Sequence, residues 1–435
     1  MLNYCVSKNA LTGTLRIPPS KSQTLRAILF GMLAEGKTEI ENPLASPDTE
    51  AMITACRHLG AEIKNTQNKI EIQGIAGNIE GAHDVINAGN SGLVFRFITA
   101  IAALGTQPIV ITGDSSIRNN RPIQPLLRGL SQLGVSAIST RNNGCAPVII
   151  QGPIQSGKVT ISGEDSQPIS GLLAAGSFAH GPVHLHVNNP GEKPWINLTL
   201  QWLTRLGISF AQRDFSYYSL NGHAKCTGFS YSVPGDLSSA AFPIVAALIT
   251  HSELTLENVD MSDAQGDKQL IYVLQEMGAP IEIDHLNKRL FVGKLKKKLK
   301  GIKVDINDFV DSIAALSVIG CFAEGSTYLL NAEIARKKEC NRIHCLAKEL
   351  KKMGADICEM KDGLLIKTSE LKGAIVDSHS DHRLAMALTI AGLGASGKTT
   401  IQNVDCVAKT FPNFMESFNL LGANIELMQN ASMAR

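Results

Sequence analysis

Arg205-Leu206-Gly207-Ile208 closes an apolar helix on Leu-Gly and passes straight into a strand, and the phrase recurs along the whole chain. Earlier copies are His58-Leu59-Gly60-Ala61 and Gln132-Leu133-Gly134-Val135; later ones are Met277-Gly278-Ala279, Met353-Gly354-Ala355 and Leu421-Gly422-Ala423. Successive glycines lie about 70 residues apart, the signature of a repeated structural unit. Glycine just past an apolar helix is the expected left-handed stop, and the alternation that follows, as in Ala279-Pro280-Ile281-Glu282-Ile283, reads as a strand. A second phrase keeps the same register: a polar cluster opens a helix rich in Ala, Leu and Ile. The copies begin at Pro19-Ser20-Lys21-Ser22, Gly89-Asn90-Ser91-Gly92, Glu164-Asp165-Ser166-Gln167, Gly235-Asp236-Leu237-Ser238-Ser239, Asn307-Asp308 through Asp311-Ser312, and Ser378-His379-Ser380-Asp381. Ser, Asp and Asn are the usual N-caps. The bodies, such as Ala240 to Ile249 and Leu384 to Leu393, are almost free of polar residues and predict buried helices. The chain therefore reads as six α/β units, each with two helices and short, hairpin-linked strands, layered with the buried helices behind the sheets.

The bulk numbers agree with this reading. A chain of 435 residues is too long for one ordinary core. Its 44% hydrophobic and 18% charged residues are those of a globular protein, and a net charge of +2 argues against a nucleic-acid or membrane-surface partner. The lysine-rich run Lys294 to Lys300 reads as a solvated strand and turn. Nine scattered cysteines with no C-x-x-C pair predict free thiols and no zinc site, hence a reducing, cytoplasmic setting. Met1 to Asn9 is not read as a secretory signal, and no apolar run approaches the roughly 18 residues of a membrane span.

Buried helices with polar caps present unpaired N–H groups and a partial positive charge at one end. Where such ends gather, anions are attracted before any side chain is counted. Lys21, Arg26, Arg96, Arg118, Arg121, Lys338, Arg342, Arg383 and Lys409 stand beside caps or helix starts and add to that attraction. The pattern predicts an enzyme for small, multiply anionic substrates bearing phosphate and carboxylate. Two acids stand among the bases: Asp311, read as a cap position, and Glu339, between Lys338 and Arg342. A carboxylate in a cationic site is held ionised, as a general base must be; the alternative is that each is a cap or an ion-pair partner. Asp381 reads as a helix cap and His382 as structural.

At this point the motifs resemble a known family. Pro19-Ser20-Lys21-Ser22 with Arg26, Gly89-Asn90-Ser91-Gly92 with Arg96, and Arg121-Pro122 are similar to the opening motifs of 5-enolpyruvylshikimate-3-phosphate synthases. Ser166-Gln167, Lys193-Pro194, Lys338-Glu339-Cys340-Asn341-Arg342, Ser380-Asp381-His382-Arg383 and Lys409-Thr410-Phe411-Pro412 follow in the family's order. The resemblance implies two similar domains, each of three βαβαββ units around buried parallel helices, an inside-out α/β barrel. The first, discontinuous domain would hold residues 1–19 and 235–435, and the second residues 20–234. A double hinge would lie near Pro18-Pro19 and Val233-Pro234-Gly235, with substrates bound in the cleft that closes between the domains.

The resemblance also implies roles. Lys21, Ser22, Arg26, Ser166, Gln167, Asp311 and Lys338 would contact shikimate 3-phosphate; Lys21, Gly92, Arg121, Gln167, Arg342, Arg383 and Lys409 would contact phosphoenolpyruvate. Asp311 would take the proton of the 5-hydroxyl as it attacks C2, and Lys21 or Glu339 would protonate C3. Phosphate then leaves a tetrahedral intermediate, with no cofactor, metal or covalent enzyme intermediate. A monomer is the family expectation, and Gly92 implies sensitivity to the inhibitor glyphosate. The chain departs from the commoner pattern at Leu93, Phe95, Asp165, Glu192, Trp195, Val310, Ile334 and Asn341. Asp165 and Glu192 matter most, because a carboxylate near the sugar phosphate repels it unless paired or turned away. Two rival readings make different demands on the sequence. A UDP-N-acetylglucosamine enolpyruvyl transferase would carry Asn after Lys21 and a Cys within Ile117 to Arg121; here Ser22 follows Lys21 and the segment has no Cys. A non-catalytic relative that binds shikimate-like ligands is opposed by the presence of Lys21, Asp311, Glu339 and Arg383.

Overall fold

The computed structural model describes residues 2–66 and 68–429. By internal contacts the chain forms two compact units: Pro19–Val233, and the segment up to Pro18 together with the segment from Pro234 onward. Each has its own apolar core, and no residue is shared between the two cores.

Six helices form the centres of these cores: α1 (Lys21–Leu33), α2 (Gly92–Ala102) and α3 (Ser166–Phe178) in the contiguous unit, and α4 (Leu237–Ile249), α5 (Ile313–Phe322) and α6 (His382–Gly394) in the discontinuous one. All of α2, α4 and α6 except Gly394 is buried, as helices without a polar face must be. Five of the six are capped by the side chains expected. Ser20 accepts from Gln23 N, Ser91 from Val94 N, Asp165 from Gln167 N, Asp236 from Ser239 N, and Asp381 from the amides of Arg383 and Leu384. The exception is α5, which follows a 3₁₀ turn, Asn307–Ser312, and has no side-chain cap bond. Asp311 is therefore not a cap; its carboxylate is turned to arginines instead.

The second helix of each repeat is amphipathic or short: Pro47–His58, Gln124–Gln132, Lys193–Arg205, Gln269–Glu276, Arg342–Lys352 and Phe414–Leu420. The glycines that follow them, Gly60, Gly134, Gly207, Gly278, Gly354 and Gly422, all have φ between +69° and +106°, the conformation that lets the chain leave the helix without a Cβ clash.

Each repeat contributes one four-stranded sheet with the same plan: a parallel pair, then two antiparallel neighbours. Gly157–Ser162 runs parallel to Val183–Asn188, which pairs antiparallel with Tyr217–Leu220 and that with Phe210–Arg213. The six sheets stay separate and open-edged, so the barrel of the expectation is an arrangement of sheets about helices and not a closed strand ladder. Two sheets of the discontinuous unit take strands from the start of the chain. Leu2–Ser7 lies between Thr399–Gln402 and Asn424–Gln429, and Thr12–Arg16 runs parallel to Glu253–Glu257.

The stretch Gly392-Leu393-Gly394-Ala395-Ser396-Gly397-Lys398-Thr399 matches by letter both the dinucleotide-binding and the P-loop patterns. It is neither. A phosphate loop opens a helix after a strand, whereas this stretch ends α6 and enters the strand Thr399–Gln402. Its glycines admit close packing: a Cβ on Gly394 would lie 2.6 Å from Phe322 Cζ.

Candidate active site

In the discontinuous unit three helix starts meet at one ion cluster. Arg383, in the first turn of α6, donates through Nη2 to Ser238 Oγ at the start of α4 (3.0 Å) and to Asp311 Oδ2 just before α5 (2.8 Å). Arg342 opens the helix Arg342–Lys352 and binds three carboxylates: Nε to Asp381 Oδ2 at 2.7 Å, Nη1 to Asp311 Oδ1 at 2.6 Å and Nη2 to Glu339 Oε2 at 2.5 Å. Lys409 Nζ reaches Glu339 Oε1 at 3.0 Å. The starts of α4, α5 and α6 thus bring three positive helix ends together here.

The electrostatics follow from this geometry. Burial favours the neutral form of Asp311, but Arg383, Arg342 and Lys338 outweigh it and hold the carboxyl well below the usual range. Burial likewise opposes the charge on Arg342, and Asp381, Glu339 and Asp311 outweigh it, so the guanidinium stays protonated. Arg342 and Asp381 are sealed (2% and 0% side-chain exposure), while Asp311 keeps 21% open, so it alone of this pair of acids can meet a ligand. Nε and Nη1 of Arg383 are buried without a hydrogen-bond partner. Two buried cationic donors with nothing to donate to are what an anion site looks like before its ligand arrives.

Glu339, Asp381 and His382 place ligand-type atoms within 4.8 Å of one another, the spacing of a metal site. Both carboxylates are already bound to Arg342, whose charge repels a cation from the same spot.

The contiguous unit joins its three helix starts in a similar way. Asp48, near the start of the helix Pro47–His58, accepts from Ser91 Oγ at 2.9 Å, and Lys21 Nζ stands 3.6 Å from the same oxygen. Arg96 Nη2 pairs with Asp165 Oδ2 at 3.0 Å, which ties α2 to the cap of α3. Arg121 is 5% exposed and donates to Asn90 O at 3.4 Å. Gly92 lets Arg121 and Arg96 close over the helix start: a Cβ there would stand 2.6 Å and 2.8 Å from their Nη1 atoms. Oε1 of Gln167 is buried without a partner. Arg118 is exposed.

Arg26 is 1% exposed, and its three nitrogens donate to Thr199 Oγ1 (3.0 Å), Ser22 O (3.1 Å) and Trp195 O (3.2 Å). It also stacks over Phe97, 5.1 Å from the ring centroid. It thus fixes Ser22 and Trp195. The two carboxylates that the sequence left in question are both engaged. Asp165 caps α3 and pairs with Arg96. Glu192 accepts from both Ser166 N and Ser166 Oγ at 3.1 Å. Arg96 thus offsets the charge of Asp165, while Glu192 is directed onto the neutral donors of Ser166.

Sequence reasoning missed Asp48, Ser238 and Asp267. Asp48 was hidden inside Ser46-Pro47-Asp48-Thr49, whose letters read as an ordinary helix start.

Six α/β repeats in two units, each unit gathering its helix starts around arginines and lysines, define an enzyme-like α/β protein that receives small polyanions. A family model described as EPSP synthase (3-phosphoshikimate 1-carboxyvinyltransferase) matches residues 6–418. The chain belongs to the EPSP synthase family. It is 44% identical over 98% of its length to a 3-phosphoshikimate 1-carboxyvinyltransferase of Chlamydia caviae, of which 95% is covered. It is 42% identical to the enzyme of that name in Acetivibrio thermocellus, with 97% of this chain and 98% of the relative aligned. A solved structure of EPSP synthase from Acinetobacter baumannii superposes with a TM-score of 0.83 at 29% identity, covering 99% of this chain and 100% of the other.

Proposed function

We propose that the chain transfers the enolpyruvyl group of phosphoenolpyruvate to the 5-hydroxyl of shikimate 3-phosphate, releasing phosphate. Membership of the family and the names of its relatives support the reaction. The observation that carries the site is the pair of arginines on Asp311, with two buried donors of Arg383 left over.

On this reading Lys21, Gly92, Arg121, Gln167, Arg342, Arg383 and Lys409 contact phosphoenolpyruvate. Ser22, Ser166, Gln167, Lys21, Asp311 and Lys338 receive shikimate 3-phosphate. Arg26 contacts that acceptor too, and its bonds to Ser22 O and Trp195 O hold those two residues in place. The 5-oxygen bonds to C2 while Asp311 takes its proton, and Lys21 or Glu339 delivers a proton to C3. In the second step a C3 proton departs, the double bond returns and the C2–O bond to phosphate breaks. Clamped by two guanidinium groups, Asp311 is a weak base at rest. The anionic oxygens of phosphoenolpyruvate compete for the same donors, and drawing Arg342 and Arg383 away raises its proton affinity.

The decisive assay is phosphate release from phosphoenolpyruvate with shikimate 3-phosphate or the UDP-sugar as acceptor. Release only with shikimate 3-phosphate is expected; release with neither overturns the enzyme reading. Asp311→Ala should lower kcat by roughly 10²–10⁴-fold while the melting curve stays cooperative, and wild-type turnover in that variant removes Asp311 as the base. Glyphosate should compete with phosphoenolpyruvate at micromolar levels, and Gly92→Ala should relieve it by pushing on Arg121 and Arg96; indifference of the wild type to millimolar inhibitor counts against that assignment. We place the protein in the cytoplasm, supported by its nine free cysteines, and as a monomer, which is the family expectation; among the described residues no helix is long and apolar enough to cross a membrane. Light scattering tests the monomer.

A further inference from the structure

Behind Asp311 lies another carboxyl group that the reaction scheme leaves without a task. Asp267 sits on the 3₁₀ turn Gly266–Lys268 and is 1% exposed. Its Oδ1 accepts from Ser312 Oγ at 3.1 Å, and its Oδ2 is buried with no hydrogen-bond partner. A buried carboxyl with one oxygen unsatisfied costs stability, so a fold keeps one only where it has a use. Ser312 is the residue after Asp311, on a turn whose Phe309 (φ −144°, ψ 44°) breaks helical geometry, so the bond from Ser312 to Asp267 is an anchor for the segment that presents Asp311.

The charged groups around Asp267 are Asp311 on that turn, Arg383 at the start of α6 and Asp236 at the cap of α4. Lys268 is turned away, donating to the carbonyls of Met261 and Asp263. Burial, then the charge of Asp311, push the Asp267 carboxyl up to about 7; Arg383 opposes this and Asp236 adds to it. Its charge therefore changes within the neutral range.

We propose that Asp267 is a positioning residue for Asp311: through Ser312 it fixes the turn that carries the base, and through its own charge it competes for Arg383 and strengthens that base. The proposal rests on the assignment of Asp311 as the base. Below neutral pH Asp267 is uncharged, and the charge of Arg383 is shared between Asp311 and the incoming anion. Above it, the second carboxylate draws on Arg383. Asp311 then holds a proton more firmly, which raises kcat, and Arg383 binds phosphoenolpyruvate less well, which raises KM.

The test is kcat and KM for phosphoenolpyruvate, from phosphate release, across about pH 5.5 to 8.5 for wild type, Asp267→Asn and Ser312→Ala. The ratio of Asp267→Asn to wild type in kcat should fall by roughly tenfold from the acid to the alkaline end, the scale of one added charge near a reacting group. The rise of KM with pH should flatten in that variant. Ser312→Ala should lower kcat at every pH and move the pH-dependent step to higher pH, because the Ser312 bond opposes the rise of the Asp267 carboxyl. Parallel profiles for wild type and Asp267→Asn overturn the proposal. A second measurement does not depend on that variant folding: carboxyl ¹³C resonances of the wild type should include one titrating near neutrality, moving to lower pH in Asp311→Asn. The absence of any carboxyl titrating in that range also overturns it. Asp311→Asn separates the two assignments. Wild-type turnover there removes the base, whereas lost turnover together with parallel Asp267 profiles removes only the role of Asp267.

Discussion

Asp311 and Asp267 both feel Arg383, yet their surroundings drive them in opposite directions. Asp311 has two guanidinium partners and is held well below the ordinary carboxylate range. Its pairing stabilises the fold above the unfolded carboxyl value and is lost as pH falls through the depressed folded value. Asp267 lacks a cation in hydrogen-bond reach and is pushed up to about 7. Its contribution is complete below the unfolded value of about 4 and is lost as pH rises to about 7, because the unfolded chain releases the proton first. Asp267→Asn should therefore match the wild type in thermal stability near pH 4. It should exceed the wild type by about 2–4 kcal/mol near pH 8, read as a gap in Tm that opens between those values; a constant gap would mean that Asp267 does not titrate. Legibility at this scale divides the same way. Asp311 was visible as an acid among bases, and the motif gave it a role. Gln265-Gly266-Asp267 reads as a polar surface turn, because the burial of a single turn residue leaves no periodicity in the sequence. The charges of Asp165 and Glu192 were legible, but their direction was not: only the structure shows them tied to Arg96 and Ser166.

At the level of elements the repeats were the most readable part of the chain, since caps and stop glycines are written locally. The caps act through side-chain hydrogen bonds, and the stop glycines through a positive φ that an L-residue would strain. Gly354→Ala, at φ +91°, should cost about 1–2 kcal/mol, measured as a shift of the denaturant midpoint at constant m-value. Asp165→Ala should cost more than the loss of a cap alone, about 1 kcal/mol, because Arg96 loses its ion-pair partner in the same change. A double-mutant cycle with Arg96→Ala checks this: a coupling energy indistinguishable from zero would show the pair contributes nothing. The same local reading misjudged the start of α5. Asp311-Ser312 carries the letters of a cap, but the helix there is entered through a kinked 3₁₀ turn, and the aspartate is drawn away by Arg342 and Arg383. Gly392 to Thr399 makes the complementary point: letters that suit a phosphate loop serve to pack a helix end against a strand when the order of helix and strand is reversed.

Over the whole molecule, the division into units was expected from the family resemblance rather than from any local signal, since proline pairs and single glycines occur at many turns. What composes each unit is long-range pairing. Pro19–Val233 is contiguous, holds three complete sheets and encloses its own core. The other unit depends on the first residues of the chain. Leu2–Ser7 is an interior strand, so removing it cuts Asn424–Gln429 off from the rest of its sheet and strips Tyr4 and Val6 from the core. Losing two such side chains with their ladder costs several kcal/mol, of order the whole stability of a typical domain. Deleting residues 1–8 should therefore unfold the discontinuous unit and leave the contiguous one intact. Hydrogen exchange by mass spectrometry would show protection lost along 235–429 and kept along 19–233, and Pro19–Val233 expressed alone should melt in one cooperative transition. Loss of protection in both units together would mean that the two cores fold as one, and that their separation is a matter of geometry without thermodynamic independence.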